Sequence, residues 1–109
     1  MLTIKSLHTN ACFDAWINCE NLLTDLQAIK KFLSNQVVKV VDECALICMG
    51  TFHALKSGSV NCQNMALLCV GICEECADIC DTQNGTVFRQ CAQVCRECAT
   101  TLSDFTLAA

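Results

Sequence analysis

The sequence predicts an all-α protein, an antiparallel up-down-up-down four-helix bundle with a cysteine-lined core. Three observations lead there. Cysteines and apolar residues recur at alternating steps of three and four, the spacing at which side chains stack on one face of an α-helix. The pattern is clearest from Cys62 to Cys98: Cys62, Cys69, Cys73, Cys76 and Cys80 are separated by 7, 4, 3 and 4 residues, and Cys91, Cys95 and Cys98 by 4 and 3. The periodic stretches are of similar length and are joined by short breaks, which makes consecutive helices antiparallel neighbours.

The first helix is expected over about 4–33, starting between Thr3 and Thr9. Cys12, Ala15, Cys19, Leu22, Leu26, Ile29 and Leu33 carry its inner stripe, with His8 one turn ahead of Cys12. Ser34 and Asn35 suit a cap and turn. The second helix, about 36–56, turns Val37, Val41, Cys44, Cys48, Thr51 and Leu55 inward. Lys56 to Ser59 reads as a stop and restart, with Gly58 in the left-handed C-terminal position and Ser59 as N-cap. The third helix then spans about 60–81. Thr82 to Gly85 form the next break, and Thr86 is expected to cap a fourth helix over about 86–105, whose stripe Phe88, Leu102 and Phe105 extend. Glu74, Glu75, Asp78, Asp81, Arg89, Gln90, Gln93, Arg96 and Glu97 all fall off the cysteine stripes. Sulfur therefore faces the seam and charge faces water.

A chain of 109 residues reads as one domain, able to bury a modest core without covalent staples. Twelve cysteines in so short a chain raise the question of a disulfide scaffold. The absence of proline, only 4 glycines and the helical intervals argue otherwise. Same-helix neighbours also hold their Cβ atoms roughly 5–6 Å apart, too far for the roughly 3.5–4.5 Å of a disulfide. The N-terminus shows no export signal, and no window is apolar enough to span a bilayer. The expected location is the cytoplasm, where thiols stay reduced. With 7 basic against 11 acidic residues and a net charge of -4, no basic patch for nucleic acid is expected.

A column of sulfur implies soft metal ions, because alanine, leucine or valine would pack as well and resist oxidation. Four thiolates around Zn(II) or an iron–sulfur cluster leave net negative charge, and a helix interior has no spare N–H groups to relieve it. Cu(I) needs only two or three thiolates. With bridging sulfurs it approaches one ion per thiolate, a neutral assembly that a dry core tolerates. The i,i+4 pairs Cys44/Cys48, Cys69/Cys73, Cys76/Cys80, Cys91/Cys95 and His8/Cys12 suit shared ions. By helix rise, Cys19, Cys44, Cys48, Cys69, Cys73, Cys91, Cys95 and Cys98 are expected in central layers. Cys12 and Cys62 are expected to face each other near one end, and Cys76 and Cys80 to lie toward the other. Leu26, Ile29, Leu33, Val37 and Val41 would plug that second end, leaving entry of metal to an end rimmed by His8, Met65 and His53.

The motifs CALIC at Cys44–Cys48, CVGICEECADIC at Cys69–Cys80 and CAQVCREC at Cys91–Cys98 resemble those of the bacterial cysteine-rich four-helix-bundle copper storage proteins. The resemblance covers most of the chain from Asp42 onward. It implies storage of many Cu(I) ions on core thiolates, occasional His or Met ligands at an open end, and tetrameric assembly. The expected partners are further copies of the chain, as a tetramer or dimer, and a copper chaperone or acceptor protein. The chain departs from the pattern in its first helix, where Cys12 and Cys19 are seven apart, so that helix is expected to supply single bridging ligands. The candidate metal ligands are Cys12, Cys19, Cys44, Cys48, Cys62, Cys69, Cys73, Cys76, Cys80, Cys91, Cys95, Cys98 and His8, with on the order of ten Cu(I) bound.

Other signals are weaker. His53 lies about 140° round its helix from Cys48, which favours an exposed position. Met49 and Met65 read as core filler, and Trp16 as a helix-interface residue. Leu46, Ile47, Phe52, Leu68 and Val70 point outward and suggest association of bundles. No Ser/His/Asp group, phosphate loop or carboxylate pair appears, so no enzyme is expected. The competing readings are a thiol-based redox or zinc sensor acting through a partner protein, which needs exposed low-pKa cysteines, and an iron–sulfur carrier, whose C-x2-C-x2-C-x3-C-P run is absent.

Overall fold

The computed structural model describes residues 4–29 and 35–107. Four helices follow one another: α1 (Ile4–Ile29), α2 (Asn35–Ser57), α3 (Cys62–Asp81) and α4 (Thr86–Leu107). The far end of the first predicted helix with Leu33, the turn at Ser34, the start at Thr3 and the Ile29 side chain lie outside the described residues. Pairings across the core establish direction. Cys19 meets Cys91 and Cys95 on α4, Cys48 meets Cys69 on α3, and Cys44 meets Cys73. Rising numbers on one helix meet falling numbers on the next, so neighbours are antiparallel, as expected. The helices form a ring in which α1 and α3 each pack on both α2 and α4.

Alanine explains how the thiols come together. Ala15, Ala45, Ala66, Ala77, Ala92 and Ala99 are all buried beside the cysteines of their own helices. A methyl group at these positions lets the backbones approach closely, and close backbones are what short cysteine side chains need in order to meet. Longer side chains close the column at both ends. Leu22, Leu26, Val37, Val41 and Phe88 fill the end beyond Cys80, so the expected hydrocarbon plug is present in its described members. Leu55 and Leu102 are equally buried at the end nearer His8.

The connection from α2 to α3 follows its sequence signals closely. Gly58 is left-handed (φ 68°), and the Ser59 N–H donates to the Ala54 carbonyl at 3.0 Å, the Schellman arrangement. Ser59 Oγ then accepts the Asn61 N–H, but Val60 and Asn61 stay in a turn and α3 starts at Cys62. At the next connection Gly85 has a positive φ of 131° and its carbonyl accepts the Arg89 N–H. Thr86 therefore stands inside the first turn of α4 and not at the expected cap. On the surface Arg96 of α4 binds Asp78 and Asp81 of α3. Such exposed ion pairs contribute little to stability, because water and salt screen them.

Candidate metal centre

All twelve cysteines are free thiols, and eleven of them are buried. Three sets have their Sγ atoms within 4.8 Å of one another. Cys19, Cys44, Cys76 and Cys95 supply one thiol from each helix; Cys48, Cys69, Cys73 and Cys98 draw on α2, α3 and α4; Cys76, Cys80 and Cys91 join α3 and α4. The sets are linked. Cys44 lies 3.9 Å from Cys73 and 4.0 Å from Cys48, and Cys76 belongs to two sets at once. The shortest separations are 3.6 Å, at Cys48–Cys69 and Cys48–Cys73, and no two sulfurs of one set stand more than 4.8 Å apart. Three sulfurs around one ion at roughly 2.3 Å would stand about 4 Å apart. The column thus holds its sulfurs at metal-bridging distance before any ion is bound.

The second set has no α1 member because Ala15, fully buried, occupies the α1 stripe between Cys12 and Cys19. The seven-residue gap read from the sequence therefore has the expected result: α1 contributes single thiols, Cys19 against Cys91 and Cys95, and Cys12 against Cys69 and Cys98.

Placement by height was correct for the central layers and differed at the edges. Cys76 sits with Cys19, Cys44 and Cys95 as well as with Cys80, so it is more central than expected. Cys12 lies against Cys69 and Cys98. Cys62 is half-buried and its thiol donates to the Ala54 carbonyl at 3.1 Å, the same carbonyl that receives Ser59 N–H. At the very start of α3 the thiol reaches the C-terminal end of α2 and adds a further donor to a carbonyl that Ser59 N–H already holds. Met65 turns to the α2–α3 flank, where a methyl added at Gly50 would stand 2.9 Å from its Cε. His53 is exposed and stacks with Phe52 and Trp16, which also contacts Phe13, in an aromatic patch on the α1–α2 flank. Of the three rim residues expected, only His8 is buried.

Crowding of thiols governs their protonation. Cys69 is pulled below the usual thiol range by S–H bonds from Cys12, Cys48, Cys73 and Cys98, and Cys76 likewise by Cys19, Cys44, Cys80 and Cys91. Cys12 and Cys19 move the other way: hydrogen bonding to Cys69 and Cys98, then burial, pushes Cys12 up, and bonds to Cys44, Cys76, Cys91 and Cys95 push Cys19 up. Metal binding displaces the protons shared within these S–H networks.

A ring of antiparallel helices that directs thiols from every member onto one dry axis defines a polythiolate binder of soft metal ions. The sequence matches the copper storage protein family over residues 4–106, and the chain belongs to that family. Among solved structures it is similar to one described as Cu(I)-bound Copper Storage Protein BsCsp3, with 22% identity, a TM-score of 0.88, and coverage of 95% of this chain and 99% of that one. This likeness is one of fold. Among curated protein sequences none matches.

His8 is buried against the edge of Phe105 at a centroid distance of 5.1 Å, and its Nδ1 has no hydrogen-bond partner. Burial lowers its pKa, against the opposing pull of the Asp104 carboxylate and a hydrogen bond to the Thr101 backbone. The folded chain then binds this proton less tightly than the unfolded chain, so metal-free protein should lose stability as pH falls below about 6.5, levelling off below the folded value. Denaturation midpoints at pH 7.5 and 5 should fall further for wild type than for His8→Gln. Equal losses would count against a neutral buried ring.

Proposed function

We propose that this chain, as a single domain over its length, stores Cu(I) on the thiolates of the bundle axis. One observation carries the reading: reduced thiols continue from set to set at 3.6–4.0 Å through all four helices. A lone structural site would use one such set. Thiolate bridges let each new ion share sulfurs with the last and keep the assembly close to neutral, which the dry core requires. The ligands in this reading are Cys12, Cys19, Cys44, Cys48, Cys69, Cys73, Cys76, Cys80, Cys91, Cys95 and Cys98, with the unpartnered His8 Nδ1 as a terminal nitrogen donor. Cys62, engaged by Ala54, is left to the fold.

Storage rather than catalysis fits a column that, among the described residues, is closed by hydrocarbon at both ends. Entry of copper at the His8 end remains the better-supported route, since the other end is closed by five large apolar residues. The setting proposed is the cytoplasm, with a copper chaperone or acceptor protein as exchange partner and neither nucleic acid nor membrane involved. No described helix is long and apolar enough to cross a bilayer. Leu46, Leu67 and Leu68, each more than half exposed, support association of bundles as dimers or tetramers.

Anaerobic titration with Cu(I) against a competing chelator tests the storage reading. On the order of ten equivalents should be taken up, about one per core thiolate. Saturation at one or two would overturn it.

A further inference from the structure

Thr51 stands on the cysteine stripe of α2, one turn beyond Cys48, and is fully buried. A buried hydroxyl is unfavourable unless bonded. This one donates to the Ile47 carbonyl of its own helix at 2.8 Å and lies 3.2 Å from the Met65 carbonyl of α3, so its single hydrogen is shared across the helix pair. The two carbonyls are placed tellingly. Ile47 immediately precedes Cys48, and Met65 is one turn before Cys69. The Cys48–Cys69 separation of 3.6 Å is at the short end of the thiol contacts. Gly50 contributes by leaving room for the Met65 side chain against α2.

We propose that Thr51 is a positioning residue of the metal column: its hydroxyl ties α2 to α3 and sets the span at which Cys48 and Cys69 share an ion. The inference rests on the copper-storage reading. Helices joined only by apolar contacts can slide by fractions of an ångström, whereas a directional bond pins register. That pinning matters most where two thiols on different helices must hold the same small ion. Valine has nearly the same shape without the hydroxyl, and both carbonyls keep their helical N–H partners, so Thr51→Val removes the tie without leaving an orphaned group.

Two measurements on the full chain decide it. In metal-free protein, hydrogen exchange of the Cys69 amide should quicken about fivefold in Thr51→Val, the worth of one hydrogen bond of about 1 kcal/mol, and stay near wild type in Thr51→Ser. With Cu(I), the first equivalents should bind about fivefold more weakly in Thr51→Val, with total uptake unchanged and affinity restored in Thr51→Ser. In a Cys48→Ser background the same substitution should change affinity less than about twofold, because coupled residues are not additive. Unchanged exchange overturns the tie whether or not the protein loads copper. Altered exchange with unchanged affinity, or an undiminished effect in Cys48→Ser, overturns the positioning role. Failure of wild-type protein to load beyond two equivalents would instead defeat the storage reading.

Discussion

Replacing Cys76 with serine should reduce Cu(I) capacity by roughly three equivalents, well beyond the one ion per thiolate that a single sulfur represents. Cys76 is shared between the set formed with Cys19, Cys44 and Cys95 and the set formed with Cys80 and Cys91. Serine keeps the volume but offers a hard oxygen donor that Cu(I) disfavours. Its loss breaks the bridge between two groups, so ions on both sides lose a sulfur. Cys62→Ser is the contrasting variant. Its thiol belongs to none of the three sets and caps Ala54, so capacity should stay within about one equivalent of wild type. Mass spectra of loaded protein under anaerobic conditions read both results directly. Equal losses in the two variants would show that the sulfurs act independently and that position in the column is irrelevant.

Truncating Leu102 to alanine should destabilise the metal-free protein by about 2–5 kcal/mol, the range for a large apolar side chain removed from a packed interior. Leu102 is completely buried and closes the His8 end of the column together with Leu55. The helices on either side cannot collapse into the gap without moving the cysteines one turn away, so a cavity should remain. Capacity should be unaffected, since no sulfur is lost, while Cu(I) uptake should be faster through the loosened end. Chemical denaturation gives the first quantity and stopped-flow loading the second. Slower or unchanged uptake would place the entry route elsewhere, and a loss under about 0.5 kcal/mol, the size expected of surface changes, would mean Leu102 is not part of the closed end.

The differences between sequence expectation and structure share one cause. Spacing along a helix gives the direction in which a side chain leaves the axis. It does not give the axial offset between one helix and the next, which depends on the turns and on how far the alanine-lined faces let the backbones approach. An error of two residues at the start of α3, where Val60 and Asn61 remain in a turn, was enough to leave Cys62 at a helix end, where it bonds Ala54. Met65 and Thr51 show a second limit. Both occupy stripe or near-stripe positions, and only the facing helix decides that one fills the space over Gly50 and the other bonds across to α3. A signal for Thr51 was present all the same: a polar residue in a fully inward register, which a packed core does not accept without a partner.

By itself the sequence determined the class of fold, the turns at Gly58 and Thr82–Gly85, and the inward aim of every cysteine but Cys62, because a three-and-four repeat admits no other face. Only the tertiary structure decided which thiols meet, that Cys76 joins two groups, that Cys62 stands apart, and that a threonine ties two helices where their sulfurs are closest. Those are distances between helices, and they come into being only when all four are packed.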